Sequence, residues 1–381
     1  MTASGRLRLV EIAELVGVPH QRTSVIVRQP GFPAPFLARS SSPARRAPTG
    51  GLTLLHPTGF EPRVNGVRIG GRTLPHGEER TPQGEVGKMR RLVLFVVLAT
   101  GAALTLPQIA SAAAPRCFGK KATIVGTTKA DHIKGTARAD VIVGLGGNDV
   151  IKGLGRGDRI CGGEGSDKLI GGDRGDALVG EAGNDTLSGG GGSDGLFGGA
   201  GNDTFNGGTG FDLASYFFAP SGVQADLTAG TATGGEDTDA LTGIEDLEGS
   251  LFDDTLTGNS GENFFFPGEG NDTVNGGGGT TDRVDFFFSL NAVVVDLTAG
   301  TATGEGTDTL TGIGQVFGSR HDDTITGDAN ANTLLGGPGN DTISGADGDD
   351  TLDGGDGSDT LDGGIGTDTC TTGETVTNCE A

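Results

Sequence analysis

The sequence has no tryptophan, one tyrosine and two methionines among its 381 residues, whereas 74 residues are glycine. So few large side chains cannot fill the deep core of an ordinary globular domain. The glycines show no three-residue period with proline, which excludes a collagen triple helix. A short repeated unit that buries only one side chain must stack on copies of itself, so the composition indicates a solenoid.

Positive charge is scarce towards the C-terminus. Beyond Arg174 the only lysines or arginines are Arg283 and Arg320, and the net charge of the chain is −23. So dense an array of carboxylates repels itself unless cations neutralise it, and it is a poor surface for nucleic acid. An acidic disordered segment is the alternative, but the fixed positions of the aspartates argue against it.

Ten nine-residue units follow one another without a gap from Gly126 to Ser215. Each unit begins with Gly, has Asp at position six and has an apolar residue at position eight. The ten aspartates are Asp131, Asp140, Asp149, Asp158, Asp167, Asp176, Asp185, Asp194, Asp203 and Asp212. The units that begin at Gly162 and Gly189 have the complete pattern GGxGxDxLx, and the unit that begins at Gly198 has it with Phe205 at position eight.

These units resemble the RTX, or haemolysin-type, calcium-binding repeat family. The resemblance implies an all-β fold, a parallel β-roll or β-helix solenoid, in which six residues form a turn and three form a short strand. Two units make one rung, and Ca²⁺ lies between the turns of successive rungs. Glycine permits the positive φ of such turns and lets carbonyl groups approach an ion. Calcium takes 6–8 oxygen ligands at 2.3–2.6 Å, which aspartate and backbone carbonyls supply.

Position four departs from the pattern. It should be glycine, yet it is Lys129, Arg138, Arg156 and Arg174 in units one, two, four and six. Because alternate units lie on the same side of a rung, the three arginines should form one column. We therefore expect guanidinium groups to pair with Asp140, Asp158 and Asp176 on that side. The alternative is that the arginines point to solvent and calcium still binds.

The array is interrupted twice by a duplicated segment. Its first copy contains VQADLTAGTATG from Val223, and its second contains VVVDLTAGTATG from Val293, 70 residues later. The alternation of Val, Leu and Thr predicts paired strands that cap one roll and lead into the next. The predicted organisation is a first repeat block at 115–215, a linker at 216–248, a short second block at 249–281, a second linker at 282–317, a third block at 318–371 and a cysteine-pinned tail at 372–381.

The predicted metal ligands follow from the Asp at position six. In the second block Asn263 takes the Asp position and Pro267 the first Gly, so weaker sites are expected there. In the third block aspartate is kept on both sides. The predicted ligands are Asp149, Asp167, Asp185, Asp194, Asp203, Asp212, Asp254, Asp272, Asp323, Asp341, Asp350, Asp359 and Asp368.

The N-terminal part has a different character. Residues 1–88 are basic and lack the glycine period, so we expect them to be largely disordered, although residues 7–35 resemble a small bacterial helix-turn-helix fragment. Residues 89–114 have the basic start, short apolar run and Ala-Ser-Ala site of a secretory signal peptide. Since the run is short for a membrane span, we predict that Met89 is the true start and that the product is secreted. The alternative is a cytoplasmic DNA-binding head on a membrane-anchored ectodomain.

Four cysteines flank the repeats. Cys117 and Cys161 lie near the start of the predicted mature chain, and Cys370 and Cys379 near its end. In an oxidising compartment an even count favours disulfides. Of the three possible connectivities, Cys117–Cys161 with Cys370–Cys379 is the local one. A zinc site is the alternative, although the chain has no CxxC motif.

No catalytic motif is found. The one GxSxG match, at Gly191–Gly195, is in phase with the repeat and lacks a histidine partner. The aromatic triplets Phe264–Phe266, Phe286–Phe288 and Tyr216–Phe218 are expected to plug the ends of rolls rather than form a ligand or membrane surface. The sequence thus predicts a secreted, non-enzymatic calcium-binding protein. A calcium-stiffened cell-surface or adhesion protein, with an unknown surface or matrix partner, is the second hypothesis, and a hydrolase the third.

Overall fold

The structure is a computed structural model that describes residues 114–234, 237–279 and 281–380. The helix-turn-helix-like fragment at 7–35, the extension at 1–88 and nearly all of the expected signal peptide lie outside the described residues. The described chain is all-β, without a helix, and forms a parallel solenoid of about 14 turns. The predicted fold class is confirmed.

The described residues form strands throughout. In chain order they are β1 Arg116–Cys117, β2 Lys120–Lys121, β3 Ile124–Val125, β4 His132–Lys134, β5 Val141–Gly146, β6 Val150–Gly155, β7 Arg159–Glu164, β8 Lys168–Asp173, β9 Ala177–Ala182, β10 Thr186–Gly191, β11 Gly195–Ala200, β12 Thr204–Thr209, β13 Leu213–Ser215, β14 Val223–Asp226, β15 Thr231–Gly234, β16 Asp237–Thr242, β17 Asp246–Glu248, β18 Thr255–Thr257, β19 Phe264–Phe266, β20 Thr273–Asn275, β21 Arg283–Asp285, β22 Val294–Asp296, β23 Thr301–Thr303, β24 Thr307–Thr311, β25 Gln315–Phe317, β26 Thr324–Thr326, β27 Thr333–Pro338, β28 Thr342–Ser344, β29 Thr351–Asp356, β30 Thr360–Asp362, β31 Thr369–Thr371 and β32 Thr375–Thr377.

Each nine-residue unit contributes one strand, and consecutive units alternate between two sheets. Strands two units apart pair in parallel at an offset of 18 residues, as between Leu187 of β10 and Phe205 of β12. The apolar residue at position eight faces the space between the sheets, because it follows the turn by two residues in an alternating strand. Ile142, Leu178 and Leu196 are among the side chains that are completely buried there. The period of the apolar residue therefore sets the register of the whole array.

The first sheet contains thirteen strands in the order β3, β5, β7, β9, β11, β13, β17, β19, β21, β25, β27, β29 and β31. Every pairing between neighbours in this sheet is parallel. The sheet runs through all three repeat blocks without a break. One apolar core, from Ile142 to Leu361, follows it.

The two linker segments lie within the second sheet. In the first linker β14, β15 and β16 form an antiparallel meander, with β16 parallel to β12 and β14 parallel to β18. In the second, β22, β23 and β24 repeat this arrangement between β20 and β26. The paired strands expected from the sequence are present. They continue the stack of rungs from one block to the next instead of closing it.

The N-terminal hairpin β1–β2 covers part of the outer face of the first sheet. Phe118, next to this hairpin, packs edge-on against Phe197 at 5.3 Å between ring centroids. Cys117 is disulfide-bonded to Cys161 of β7, and these residues belong to a second, smaller apolar cluster with Val143. At the other end Cys370 is bonded to Cys379. The pairing is the local one expected from the sequence.

The aromatic triplets do not plug the ends of separate rolls. Phe265 and Phe286 belong to the continuous core, and Phe266 belongs to the outer cluster. Phe218 is 60% exposed. Because the core passes uninterrupted through the linkers, there is no end of a roll at these positions for the rings to plug. No helix in the described ranges is long and apolar enough to cross a membrane.

Candidate metal centres

The aspartates at position six form two ladders, one along each edge where the turns stack. From the second rung of each repeat block onwards, the Oδ1 atom of the Asp accepts a hydrogen bond from the backbone N–H of the position-six residue one rung earlier. Examples are the N–H of Asp149 to Asp167 and the N–H of Asp158 to Asp176, both at 2.7 Å. The side chains thus point back towards the preceding turn. They are also buried: Asp158, Asp176 and Asp194 have no exposed surface.

The other carboxylate oxygen, Oδ2, folds back over the first glycine of its own unit. In the unit of Gly162 and Asp167, Oδ2 lies 2.3 Å from the point where a Cβ on the glycine would stand. A real Cβ could not occupy that position. The repeat therefore has glycine at position one because the aspartate at position six fills the space of its side chain.

In most turns Oδ2 is buried and has no hydrogen-bond partner. The thirteen aspartates concerned, all in nine-residue units, are Asp149, Asp158, Asp167, Asp176, Asp185, Asp194, Asp203, Asp212, Asp272, Asp341, Asp350, Asp359 and Asp368. An unpaired buried carboxylate oxygen is costly, and an ion is one of the few explanations for a regular series of them. We call the turns that hold these aspartates open turns.

Backbone carbonyl groups line the spaces between open turns. A Cβ on Gly163 would lie 2.4 Å from the carbonyl oxygen of Leu145, and one on Gly165 would lie 2.4 Å from that of Gly147. Gly163 and Gly165 have φ of 115° and 124°, a conformation that only glycine adopts at little cost. Because these glycines have no side chain, the carbonyl oxygens of the preceding turn can lie close to their backbone.

Burial perturbs the titration of these carboxyl groups. Desolvation, followed by repulsion from neighbouring carboxylates, raises the pKa of Asp176, Asp203 and Asp272 to about 8, although a backbone hydrogen bond opposes the shift. The pKa of Asp167 and Asp212 is raised to about 7 by the same causes. A bound cation would remove this penalty on the charged form.

The donor atoms fit calcium. The open turns offer carboxylate and carbonyl oxygens, the ligands of a hard cation. No group of three or more His, Cys, Asp or Glu side chains within reach of one ion occurs in the described ranges. The backbone carbonyl oxygens beside the carboxylates would supply further ligands to an ion that takes 6–8 oxygens, as calcium does.

A second class of turn satisfies its own position-six side chain. In the six turns of this class, the residue at position two is Ser, Thr, Asn or Asp, and its backbone N–H donates to the Asp or Asn at position six at 2.5–2.8 Å. We call these capped turns. Their position-two and position-six residues are Thr127 with Asp131, Thr136 with Asp140, Ser250 with Asp254, Asn259 with Asn263, Ser319 with Asp323, and Asp328 with Asn332.

Eleven of the thirteen predicted ligands lie in open turns. The other two, Asp254 and Asp323, lie in capped turns, where Oδ2 accepts the N–H of Ser250 and Ser319 and Oδ1 accepts that of Val223 and Val293. Conversely, the open turns include Asp158 and Asp176, which the sequence did not predict as ligands.

The expected column of arginine–aspartate pairs is wrong. Arg156 and Arg174 are exposed, and Oδ2 of Asp158 and of Asp176 has no partner in the described part of the chain. Both arginines adopt positive φ, 71° and 73°, so the turn keeps the backbone that glycine gives elsewhere. The position-six side chain in the turn of Arg138, Asp140, is held by Thr136 instead.

Sequence reasoning also missed acidic residues that extend the ladders beyond the repeats. Asp239 and Asp308 of the linkers accept the N–H of Asp203 and Asp272 at 2.8 and 3.1 Å. Glu374 and Glu380 do the same for Asp359 and Asp368 at the end of the array. Asp239 and Asp308 each precede a core leucine by two residues, as position six precedes position eight, and this spacing could have revealed them.

The fold and its turns define a parallel β-solenoid built from nonapeptides that carry a buried aspartate ladder. A family model described as the RTX calcium-binding nonapeptide repeat (four copies) matches residues 125–160, 134–169, 162–196, 170–205, 179–214, 248–280, 315–343 and 335–370. The matched stretches, which lie within residues 125–370, are RTX calcium-binding nonapeptide repeats. A search of the curated proteins found no match.

Proposed function

We propose that this chain is a secreted calcium-binding protein whose folding is coupled to extracellular calcium, and that it has no catalytic role. The observation that carries the proposal is the series of thirteen buried aspartate oxygens without a hydrogen-bond partner. Ions that bind only the folded chain add their binding free energy to its stability. Where calcium is scarce, repulsion among the carboxylates would oppose folding.

A titration of the full chain, oxidised, tests the calcium part of the proposal. Far-UV circular dichroism is followed as calcium, and separately magnesium, is added to metal-free protein. We expect calcium to increase the β-sheet signal at concentrations at which magnesium has no effect, because magnesium demands regular octahedral geometry and keeps its waters. A chain that is fully β-structured without metal and does not change with calcium would contradict the coupling.

Secretion is supported by residues 89–114 and by the cysteine pairing, since disulfides persist in oxidising compartments. N-terminal sequencing of the product made by the native organism tests it. A mature start between Ala113 and Arg116 is the expected result. A chain that begins at Met1 would count against both the signal peptide and the interpretation of residues 1–88 as an extension that is not part of the product.

A calcium-stiffened surface or adhesion protein is the second candidate. The first sheet and its core continue through all three repeat blocks, and such a continuous stack is suited to a spacer. Cell fractionation separates the two candidates. Retention in the cell-wall or surface fraction favours the spacer, whereas recovery in the medium favours a freely secreted calcium-binding protein.

A further inference from the structure

The capped and open turns follow a strict order along the chain. In each of the three repeat blocks the first two turns are capped, one on each side of the first rung, and every later turn of a nine-residue unit is open. The first rungs begin at Gly126, Gly249 and Gly318. Each block therefore starts with one complete rung whose position-six side chains have protein partners.

The backbone separates the two classes as sharply as the hydrogen bonds do. In every open turn the residue at position two has positive φ, between 78° and 133°, even where it is Leu145 or Glu181. In the capped turns none of the residues at position two has positive φ. Their side-chain oxygen instead accepts the N–H of position four at 2.7–3.2 Å.

The identity of the residue at position six indicates that an open turn needs a negative charge there and a capped turn does not. It is Asp in every open turn that follows the nine-residue pattern, but it is Asn263 and Asn332 in two of the capped turns. The neutral Oδ1 of each Asn accepts the N–H of position two at 2.8 Å, as the carboxylate oxygen does elsewhere. An acceptor is thus sufficient in a capped turn, whereas a carboxylate is present wherever Oδ2 is left without a partner.

The direction of the aspartate ladder gives the physical reason. Each Asp in an open turn points back to the turn one rung earlier, so an ion bound between its Oδ2 and that turn would need both turns. The first turn of a block has no nonapeptide turn behind it. In the second and third blocks Oδ1 of Asp254 and Asp323 meets the linker residues Val223 and Val293 instead. A carboxylate in this position would lack a cation, and the polar residue at position two supplies its hydrogen bonds.

From this order we infer that the first rung of each block is closed by its own side chains, takes no calcium through its position-six residues, and forms the metal-free base on which the calcium-binding turns stack. The closure of the first rung by its own side chains does not depend on the proposed calcium binding. The stacking of calcium-binding turns on that rung rests on the proposed function. The carbonyl groups of a capped turn remain available to the first ion above it: those of Ser250 and Ser319 face Gly268 and Gly337.

Matched substitutions in the full chain test whether the position-six residues of the first rungs bind calcium. The double variant Asp254→Asn with Asp323→Asn changes two capped turns, and Asp272→Asn with Asp341→Asn changes the open turns 18 residues later on the same side. We expect the capped variant to bind as many calcium ions as the unaltered chain, with the same midpoint. The open variant should lose bound calcium and have its midpoint raised by at least about tenfold. An equal loss in both variants would overturn the inference.

Hydrogen exchange of the unaltered chain tests the base without any substitution. In calcium-free buffer we expect the backbone amides of Ser250 and Ser319 to exchange more slowly than those of Gly268 and Gly337, and calcium to slow mainly the latter pair. Equal exchange of the two pairs without calcium would contradict a metal-free base. If the unaltered chain bound no calcium at all, the proposed function would fail, while this comparison would still decide whether the first rungs close by themselves.

Discussion

The Oδ2 atom of Asp176 lies 2.2 Å from the point where a Cβ on Gly171 would stand, and the carbonyl oxygen of Gly189 lies 2.7 Å from the same point. The substitution Gly171→Ala must therefore displace either the carboxylate or the next turn. We expect it to reduce the free energy of unfolding in calcium by about 1–3 kcal/mol, the range for overpacked sites, and to weaken calcium binding at Asp176. Urea unfolding and calcium titration measure the two effects.

Gly155 provides the control for this prediction. It lies in the same stretch, but a Cβ there would have no atom within 4 Å. Gly155→Ala should leave stability and calcium binding almost unchanged. If the two alanine variants were equally stable, the fit between position one and position six would not be the reason for the glycine.

The pH dependence of the metal-free chain should be the reverse of that of the calcium-loaded chain. Burial raises the pKa of Asp203 and Asp272 to about 8, above the ordinary value near 4. Such groups favour folding fully below about pH 4, and this contribution is lost progressively as the pH rises from about 4 to about 8. The metal-free chain should therefore have a higher Tm at pH 5 than at pH 8. Calcium needs the deprotonated form, so in calcium the Tm should be higher at pH 8.

Thermal unfolding in calcium-free buffer and in millimolar calcium, each at pH 5 and pH 8, measures this reversal of the pH dependence of Tm. The comparison is a protein whose carboxyl groups have ordinary pKa values, because the Tm of such a protein falls on acidification. A metal-free chain that loses Tm between pH 8 and pH 5 would show that the position-six carboxyl groups are not buried as described.

The repeat period, the solenoid and the inward-facing residue could all be predicted from the sequence, because glycine, aspartate and an apolar residue recur in one frame. The state of each turn could not be predicted from position six alone, since Asp254 and Asp272 occupy the same position but differ in their partners. The difference lies at position two, where Ser250 donates a hydrogen bond and Gly268 has positive φ.

The arginines show a second limit of the pattern. The sequence suggested a charge pair because Arg156 and Asp158 are close in the unit, but closeness along the chain does not fix where a side chain points. With φ at 71°, Arg156 takes the turn backbone of glycine and projects into solvent. Ladder residues such as Asp239 were missed for another reason, since they reach their places through strand pairing over 36 residues.

Replacing Arg156 by glycine should not create a calcium site, because the turn is already open. We expect Arg156→Gly to bind the same number of calcium ions and to be more stable by up to about 1 kcal/mol, since glycine adopts positive φ without strain. Lys152→Gly is the charge-matched control on the exposed face of β6, where glycine should be destabilising by about 0.5–1 kcal/mol. An additional calcium ion bound by Arg156→Gly would support the abandoned arginine–aspartate pairing.

The two disulfides should differ in their contribution to stability. Cys117 and Cys161 are 44 residues apart, whereas Cys370 and Cys379 are nine apart. In the chain-entropy model, closing the longer loop stabilises the folded chain by about 4 kcal/mol and closing the shorter by about 3 kcal/mol. Replacing Cys117 and Cys161 by alanine also frees the β1–β2 hairpin from the outer face of the first sheet.

Urea unfolding of the two double variants in calcium should therefore show the larger loss for the Cys117–Cys161 pair, with the number of bound calcium ions unchanged in that variant. A larger loss for the Cys370–Cys379 pair would mean that closure of the C-terminal end, where Glu380 accepts the N–H of Asp368, stabilises the array more than the hairpin does.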